Sequence, residues 1–247
     1  MVRDAGTEAF DIAFESNTGY AFLIWGDEGN NVMYKEFTSS WQPEATAYSG
    51  LSDDVLWLAA AYDPQATSSK IAIAMVLNNS TFEYGAWDGS SWVARPAAID
   101  APNNDNRFID VAFESDTGEA IYGFTQNVAA DDKKRFAWRT WTSSGGFSGV
   151  TVENTLPDDL PDEIKFVQLK ADPTSDDIMA VYADKSKDLY YRFWDGSDWT
   201  ALPAPLETEL SDENQNEAFM FAWKESPATA IDLLGFSAIG EDVAVQV

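Results

Sequence analysis

The feature that most constrains this chain is its similarity to itself. Phe10-Asp11-Ile12-Ala13-Phe14-Glu15-Ser16-Asn17-Thr18-Gly19 returns as Phe108-Ile109-Asp110-Val111-Ala112-Phe113-Glu114-Ser115-Asp116-Thr117-Gly118. A second pattern alternates with it. Tyr62-Asp63-Pro64-Gln65-Ala66-Thr67-Ser68 returns as Ala171-Asp172-Pro173-Thr174-Ser175-Asp176, and Trp87-Asp88-Gly89-Ser90-Ser91-Trp92 returns as Trp194-Asp195-Gly196-Ser197-Asp198-Trp199. Superposing the two patterns puts Glu15, Asp63, Glu114 and Asp172 in equivalent places, about fifty residues apart, the length of one propeller blade. A fifth start stands at Phe219-Met220-Phe221-Ala222-Trp223-Lys224-Glu225-Ser226. The chain reads as four full units and one shortened unit, built by duplicating an odd-even pair.

Each unit carries four strand signals separated by turn residues. In the second unit they are Leu56 to Tyr62, Ile71 to Leu77, Thr81 to Trp87, and Trp92-Val93-Ala94. The second of these is apolar on both faces, which fits a strand sandwiched between neighbouring sheets, whereas the third alternates more, as in Leu189-Tyr190-Tyr191-Arg192-Phe193-Trp194. Asp63-Pro64 and Asp172-Pro173 initiate turns, and the Asp-Gly of each Trp-Asp-Gly segment is a hairpin signal because a tight reversal needs positive φ. One blade cannot bury both of its faces, so neighbours must stack, and closing a ring removes the exposed ends. The expected fold class is therefore all-β: a β-propeller of four-stranded antiparallel blades, five-bladed, as a single domain over 1–247. The approximate blades are 8–48, 53–98, 106–150, 163–204 and 217–247. The fifth unit offers Phe219 to Trp223, Ile231 to Phe236 and Asp242 to Val247 and then stops; in a closed ring residues 2–7 would supply its fourth strand, although Arg3-Asp4-Ala5-Gly6 is a poor strand former, and the alternative is that further blades lie outside this segment. Asn154 to Asp162 and Ala201 to Gln215 read as lengthened inter-blade loops.

Composition narrows the chemistry. Forty-two acidic residues against fifteen basic ones leave a formal charge of −27, which repels phosphate backbones and anionic lipid, so nucleic acid is not an expected partner. Cysteine and histidine are both absent. That removes disulfides, thiolate and imidazole metal sites, and Ser-His-Asp catalysis, leaving carboxylate chemistry. No stretch approaches the roughly eighteen apolar residues of a membrane-spanning helix, and membrane insertion of this segment is not expected. The opening Met1-Val2-Arg3-Asp4-Ala5-Gly6 runs almost at once into a strand pattern, which reads as a domain cut from a longer chain or a processed product.

Three constellations are weighed for function. The Trp-Asp-Gly-Ser-x-Trp hairpins place Trp87, Asp88, Trp92, Trp194, Asp195 and Trp199 together as candidate ligand-binding residues: tryptophans stack on the apolar faces of sugars while an aspartate accepts hydroxyl hydrogen bonds. The alternative reading is a turn clamped by a cross-strand aromatic pair worth about 0.2 to 1 kcal/mol. Asp11 and Asp110, on first strands that line a propeller's channel, are the carboxyl pair to test for glycoside hydrolysis; the alternative is that they mark the odd repeat or cap a strand end. Acidic clusters at Asp27-Glu28-Gly29-Asn30, Asp131-Asp132 and Asp172 to Asp177 offer oxygen ligands to calcium, without the twelve-residue loop pattern of a dedicated site. Solvated turns are their alternative reading. No catalytic residue, metal ligand or cofactor is assigned.

The unit as a whole, with its acidic-Ser or Asp-Pro turn, apolar strand, Tyr-rich strand and Trp-Asp-Gly-Ser-x-Trp hairpin, resembles the blade repeats of large secreted bacterial and archaeal surface proteins. More loosely it resembles the repeats of fucose-binding propeller lectins, whose third and fourth strands carry comparable Trp-rich hairpins. Those lectins also use an arginine and a glutamate from adjacent strands at each site, and here no such pair recurs in every unit. The resemblance implies a non-catalytic domain, extracellular or on the cell surface, used for adhesion, display or assembly against a protein or glycan surface. A carbohydrate-binding lectin is the alternative, and a carboxylate-dependent glycoside hydrolase the third.

Overall fold

A computed structural model describes residues 7–102, 106–128, 133–153, 164–200, 205–208, 210 and 219–223. They form β-sheet and connecting turns, with no helix among them. The first sheet holds β1 (Phe10–Phe14), β2 (Ala21–Gly26), β3 (Val32–Phe37) and β4 (Ala45–Tyr48); the second holds β5 (Val55–Tyr62), β6 (Ile71–Leu77), β7 (Thr81–Trp87) and β8 (Ile99–Asp100). The third comprises β9 (Ile109–Phe113), β10 (Ala120–Val128), β11 (Lys133–Thr142), β12 (Gly146–Phe147) and β13 (Thr151–Val152), and the fourth β14 (Ile164–Ala171), β15 (Ile178–Asp184) and β16 (Leu189–Trp194). Every pairing is antiparallel and follows chain order outward from the first strand, the meander of a propeller blade.

In the second unit the first three strands lie where the periodicity puts them, and β6 and β7 match residue for residue. The fourth strand differs. Trp92 makes only an isolated bridge to Trp87, and pairing with β7 resumes at β8, beyond the expected Trp92-Val93-Ala94. The same split recurs, with bridges Phe37↔Trp41 and Trp194↔Trp199 at the hairpin end and β4, β13 or the Leu189↔Glu207 bridge further along. After the bridge the chain runs on without pairing before it rejoins the ladder, in the first sheet through Gln42-Pro43-Glu44 and in the second through Arg95-Pro96, and proline has no N–H to give to a ladder.

Burial follows from the stacking of sheets. All seven side chains of β6 are buried; Ile71, Ile73, Met75 and Leu77 pack against the first sheet, while Ala72, Ala74 and Val76 pack against the third. β15 behaves alike, sending Ile178, Ala180 and Tyr182 toward the third sheet and Met179, Val181 and Ala183 away from it. Each large aliphatic side chain so enclosed stabilises by about 1.5–3 kcal/mol, enough to make the inter-sheet joints the dominant source of stability. On the far side of the fourth sheet Phe219 meets the Phe166 ring at 4.9 Å, and Phe219 and Phe221 are buried there. Phe219–Trp223 forms no ladder among the described residues. Residues 1–6, the loop 154–163 and the expected strands Ile231 to Phe236 and Asp242 to Val247 lie outside the described residues, as does most of the expected loop Ala201 to Gln215.

Gly85 in β7 shows how closely the sheets approach. A Cβ there would fall 2.3 Å from Cε2 of Tyr48, whose hydroxyl accepts from Ala86 N and donates toward Val93 O across the joint. Gly85→Ala is expected to lower stability by roughly 1–3 kcal/mol through overpacking. Denaturant unfolding checks this, and an unchanged midpoint would show that the joint is looser than described.

Candidate functional site

The joints between an odd sheet and the even sheet that follows are made by the residues that the repeat picks out. Asp11 in β1 accepts from its neighbour Ile12 N at 2.7 Å and from Ala60 N of β5 at 2.8 Å. Asp110 in β9 does the same with Val111 N at 3.0 Å and Leu169 N of β14 at 2.8 Å. Backbone contacts support each carboxylate, Leu58 N to Glu8 O in one joint and Val167 N to Arg107 O in the other. These carboxyls stitch inner strands together, the strand-marking alternative rather than an acid-base pair free to act on a sugar. Burial raises the Asp110 carboxyl above the ordinary range, against the opposing pull of Arg107.

One turn of chain beyond, the acidic-Ser turn holds the even sheet a second time. Glu15 is buried and accepts from Trp87 Nε1 at 3.0 Å and Thr18 Oγ1 at 2.6 Å, while Ser16 Oγ donates to Asp63 O at 2.6 Å. Glu114 accepts from Trp194 Nε1 and Thr117 Oγ1, and Ser115 Oγ donates to Asp172 O at 2.5 Å. A buried carboxylate is tolerated only with such donors, and charge-assisted hydrogen bonds are the strong ones. Burial nonetheless raises the Glu114 carboxyl, with the Thr117 and Trp194 hydrogen bonds opposing it.

This arrangement fixes where the six candidate ligand-binding residues lie. Trp87 and Trp194 point into the odd-even joints with their N–H groups engaged. Trp92 packs edge-on against Tyr34 at 5.7 Å and Tyr48 at 5.5 Å, and Trp199 is buried against Phe136 at 5.2 Å. Asp88 and Asp195 are exposed at the rim, where one carboxylate oxygen of each closes its own turn: Asp88 Oδ1 receives Ser90 N, Ser90 Oγ and Ser91 N, each at 2.8 Å, and Asp195 Oδ1 receives Ser197 N, Ser197 Oγ and Asp198 N. The Ser90 and Ser197 hydroxyls hold these two carboxyls below the ordinary range. Within each hairpin the two tryptophan rings are close, 5.8 Å apart in the second sheet and 5.6 Å in the fourth.

Two concavities lined by described residues bear on function. The larger, about 700 Å³, is the channel between the inner strands, where Asp11, Asp110, Arg107, Gln168 and Lys170 meet apolar Phe10 and Ile12. The smaller, about 400 Å³, is a groove at the joint of the third and fourth sheets, lined by Trp138, Trp194, Glu119, Thr140, Thr151 and Ser197 among others. Trp138 stands edge-on to Trp194 at 4.8 Å and donates Nε1 to Glu153 Oε1 at 2.8 Å; Glu153 Oε2 in turn receives the fully buried Arg192 at 2.8 Å. The ring is therefore fixed from behind while one side borders the groove. Sequence reading singled out Trp194 and missed Trp138. The signal was register: Trp138 stands opposite Gly123 and Asp110 as Tyr34 stands opposite Ile24 and Asp11, so the same place holds an aromatic in both odd units.

The acidic turns are engaged by backbone N–H groups, their own or those of a neighbouring sheet. Asp27 Oδ1 accepts from Gly29 N and Asn31 N, Asp172 Oδ1 from Thr174 N, and Asp176 Oδ1 from Asp116 N and Thr117 N. Asp131 and Asp132 lie outside the described residues. Among the described residues, no three acidic side chains gather as a metal site would require.

No protein-family model matches the chain, and no curated protein matches it in sequence. Among solved structures it is similar to the BP39L lectin from Burkholderia pseudomallei, at 13% identity and a TM-score of 0.52, over 83% of this chain and 58% of that one. It is also similar to the SapL1 lectin solved with alpha methyl fucoside, at 16% identity and a TM-score of 0.48 over 81% and 64% of the two chains. A third is the six-bladed fungal lectin of Aleuria aurantia, at 11% identity and 0.47 over 81% and 65%. The chain spans less than two thirds of the length of each. The likeness to BP39L establishes the fold as a β-propeller.

Two outcomes follow from the joints. Trp199→Ala is expected to destabilise by roughly 3–5 kcal/mol, the usual result of emptying a buried indole site, and a change under about 1 kcal/mol in urea unfolding would contradict a packing role. For Asp110 and Glu114 the folded carboxyls are raised, so the native state binds protons more tightly than the unfolded one and stability falls as pH rises. Melting temperature at fixed ionic strength should accordingly climb as pH is lowered from neutrality toward the ordinary carboxylate range. A fall over that interval would contradict the assignment.

Proposed function

We propose that this chain is a non-catalytic, carbohydrate-binding β-propeller domain that serves adhesion or display outside the cell. The observation that carries this reading is the groove between the third and fourth sheets. It offers what a sugar requires: an indole held rigidly at Trp138, hydroxyls at Thr140, Thr151 and Ser197, and a carboxylate at Glu119. The electron-rich face of an aromatic ring favours the C–H face of a pyranose, while hydroxyls and a carboxylate answer the equatorial O–H groups. Because the Trp138 N–H is already engaged by Glu153, the ring is pre-organised and little conformational freedom is lost on binding.

Three further observations support the reading. BP39L, which shares the fold, is a lectin. The carboxyls of Asp11 and Asp110, which hydrolysis would need, bond backbone N–H groups of two strands each. The repeat resembles those of secreted surface proteins, and a charge of −27 suits a domain that must stay dispersed while it holds a glycan.

A glycan array probed with the whole chain tests the proposal. Binding of at least one saccharide is expected, with Trp138→Ala lowering affinity ten-fold or more, equivalent to about 1.4 kcal/mol. Glu119 is half-buried just after the turn at 115–117, and Glu119→Gln keeps its volume, so it should weaken the same saccharide with the melting temperature little changed. An array without hits, or binding indifferent to both substitutions, would refute the groove as the site.

A further inference from the structure

The two ends of the sheets carry different turns. Contacts from Glu15 to Trp87, Ser16 to Asp63 and Lys70 to Gly118 gather the first-strand turns and the Trp-Asp-Gly hairpins at one end, where Glu119 and Ser197 of the groove also lie. Strands alternate in direction, so residues 78–80, between β6 and β7, stand at the other end. Three turns at that end share a form, with Asn30, Ser80 and Lys187 at φ of 58°, 59° and 71° in equivalent places. In the first and fourth sheets the aspartate that opens the turn also closes it: Asp27 Oδ1 accepts from Asn31 N at 3.0 Å and Asp184 Oδ1 from Asp188 N at 2.9 Å. The second sheet departs from this pattern. Fully buried Leu77 holds the aspartate's place, and the polar side chains of Asn78-Asn79-Ser80-Thr81 follow it.

Those four residues contain Asn-x-Ser/Thr twice, at Asn78-Asn79-Ser80 and Asn79-Ser80-Thr81, without proline in the middle; no other asparagine of the chain has serine or threonine two places on. The pattern is that of an acceptor for an asparagine-linked glycan, which needs a carboxamide and a hydroxyl two residues apart on an accessible loop. Asn79 meets both conditions. It is exposed, and Thr81 Oγ1 donates to Asn79 Oδ1 at 2.7 Å, so carboxamide and hydroxyl already stand together. The nitrogen that a glycan would occupy, Asn79 Nδ2, donates to Ser52 Oγ at 3.0 Å, a surface contact that water can replace.

We infer that Asn79 is the acceptor site for an asparagine-linked glycan, presented at the end of the sheets opposite the carbohydrate groove. The Asn79 carboxamide nitrogen gives up one proton and bonds the anomeric carbon of an oligosaccharide carried on a lipid diphosphate. The bond from that carbon to the phosphate oxygen breaks, and the lipid diphosphate leaves with the electron pair. An oligosaccharyltransferase and its lipid-linked donor supply the reaction, and this chain supplies only the acceptor. Use of the site in the organism rests on the reading that the domain serves outside the cell, since such transferases act on exported chains. Competence of the turn as an acceptor does not.

The test incubates the whole folded chain with a purified oligosaccharyltransferase that requires only Asn-x-Ser/Thr, together with a lipid-linked oligosaccharide. A synthetic peptide spanning 76–84 serves as the unfolded control. Release of the glycan by a peptide N-glycosidase in heavy-oxygen water marks the modified asparagine as a heavy aspartate in the mass spectrum. The mark is expected at position 79 of the folded chain. Asn79→Gln and Thr81→Ala should each abolish it, Thr81→Ser should keep it at a lower rate, and Asn78→Gln should leave it in place. Because these positions lie on a surface turn, the near-ultraviolet tryptophan spectrum should be that of the parent in every variant. Transfer to the peptide with the folded chain untouched would overturn the inference, because the turn would then not present its asparagine. A mark at position 78 instead of 79, or one that survives Thr81→Ala, would overturn it as well. None of these outcomes bears on whether the groove binds a saccharide, which the glycan array reads separately.

Discussion

The structure depends on a carboxylate held out of water between two sheets. Glu15 and Glu114 are buried at the ends of inner strands, and each is compensated by an indole N–H from the next sheet and a threonine hydroxyl from its own turn. Remove a donor and a charge is left in a low-dielectric joint, at a cost larger than the hydrogen bond itself. The adjacent Asp11 and Asp110 extend the same principle along the channel, bonding backbone N–H groups of two strands at once. Odd and even sheets are thereby tied in pairs. This explains why the sequence repeats over two units as well as over one.

The second and third sheets meet by different means. There Lys70 bridges the Asp63 carboxylate and the Gly118 carbonyl, and Arg139 lies over the rings of Tyr84 and Phe147. Tyr84 and Tyr122 are fully buried in that joint, whereas Tyr34 and Trp138, which stand in the odd-even joints at the place of Tyr84, are only partly buried. The described groove sits at an odd-even joint. Its Trp194 ring is held by the Glu114 clasp, so the interaction that fixes the sheets also shapes the proposed binding surface.

Much of the fold was legible because burial writes itself into periodicity. β6 is apolar at every position since both of its faces are covered, and Asp-Gly and Asp-Pro pairs mark reversals that few other residues accommodate. The fourth strands were less legible. Their pairing lapses after the hairpin bridge and resumes further along, at β8 in the second sheet, a course that the apolar run Trp92-Val93-Ala94 does not encode. The tryptophans of the hairpins were recognisable as a unit, but an exposed stacking platform and a joint-filling indole look alike until the neighbouring sheet is in place. Trp138 escaped notice for the converse reason: it belongs to no hairpin motif, and its importance comes from Glu153 and Arg192, which reach it from distant parts of the chain.

The central claim is that Glu15 and Trp87 act as one element across the first joint. A double-mutant cycle with Glu15→Gln and Trp87→Phe, followed by urea unfolding, measures it directly. The account predicts a coupling of roughly 1.5–3 kcal/mol, the range for a hydrogen bond to a charged group. Effects that simply add, within about 0.5 kcal/mol, would mean that the two residues stabilise the joint independently and that no clasp exists.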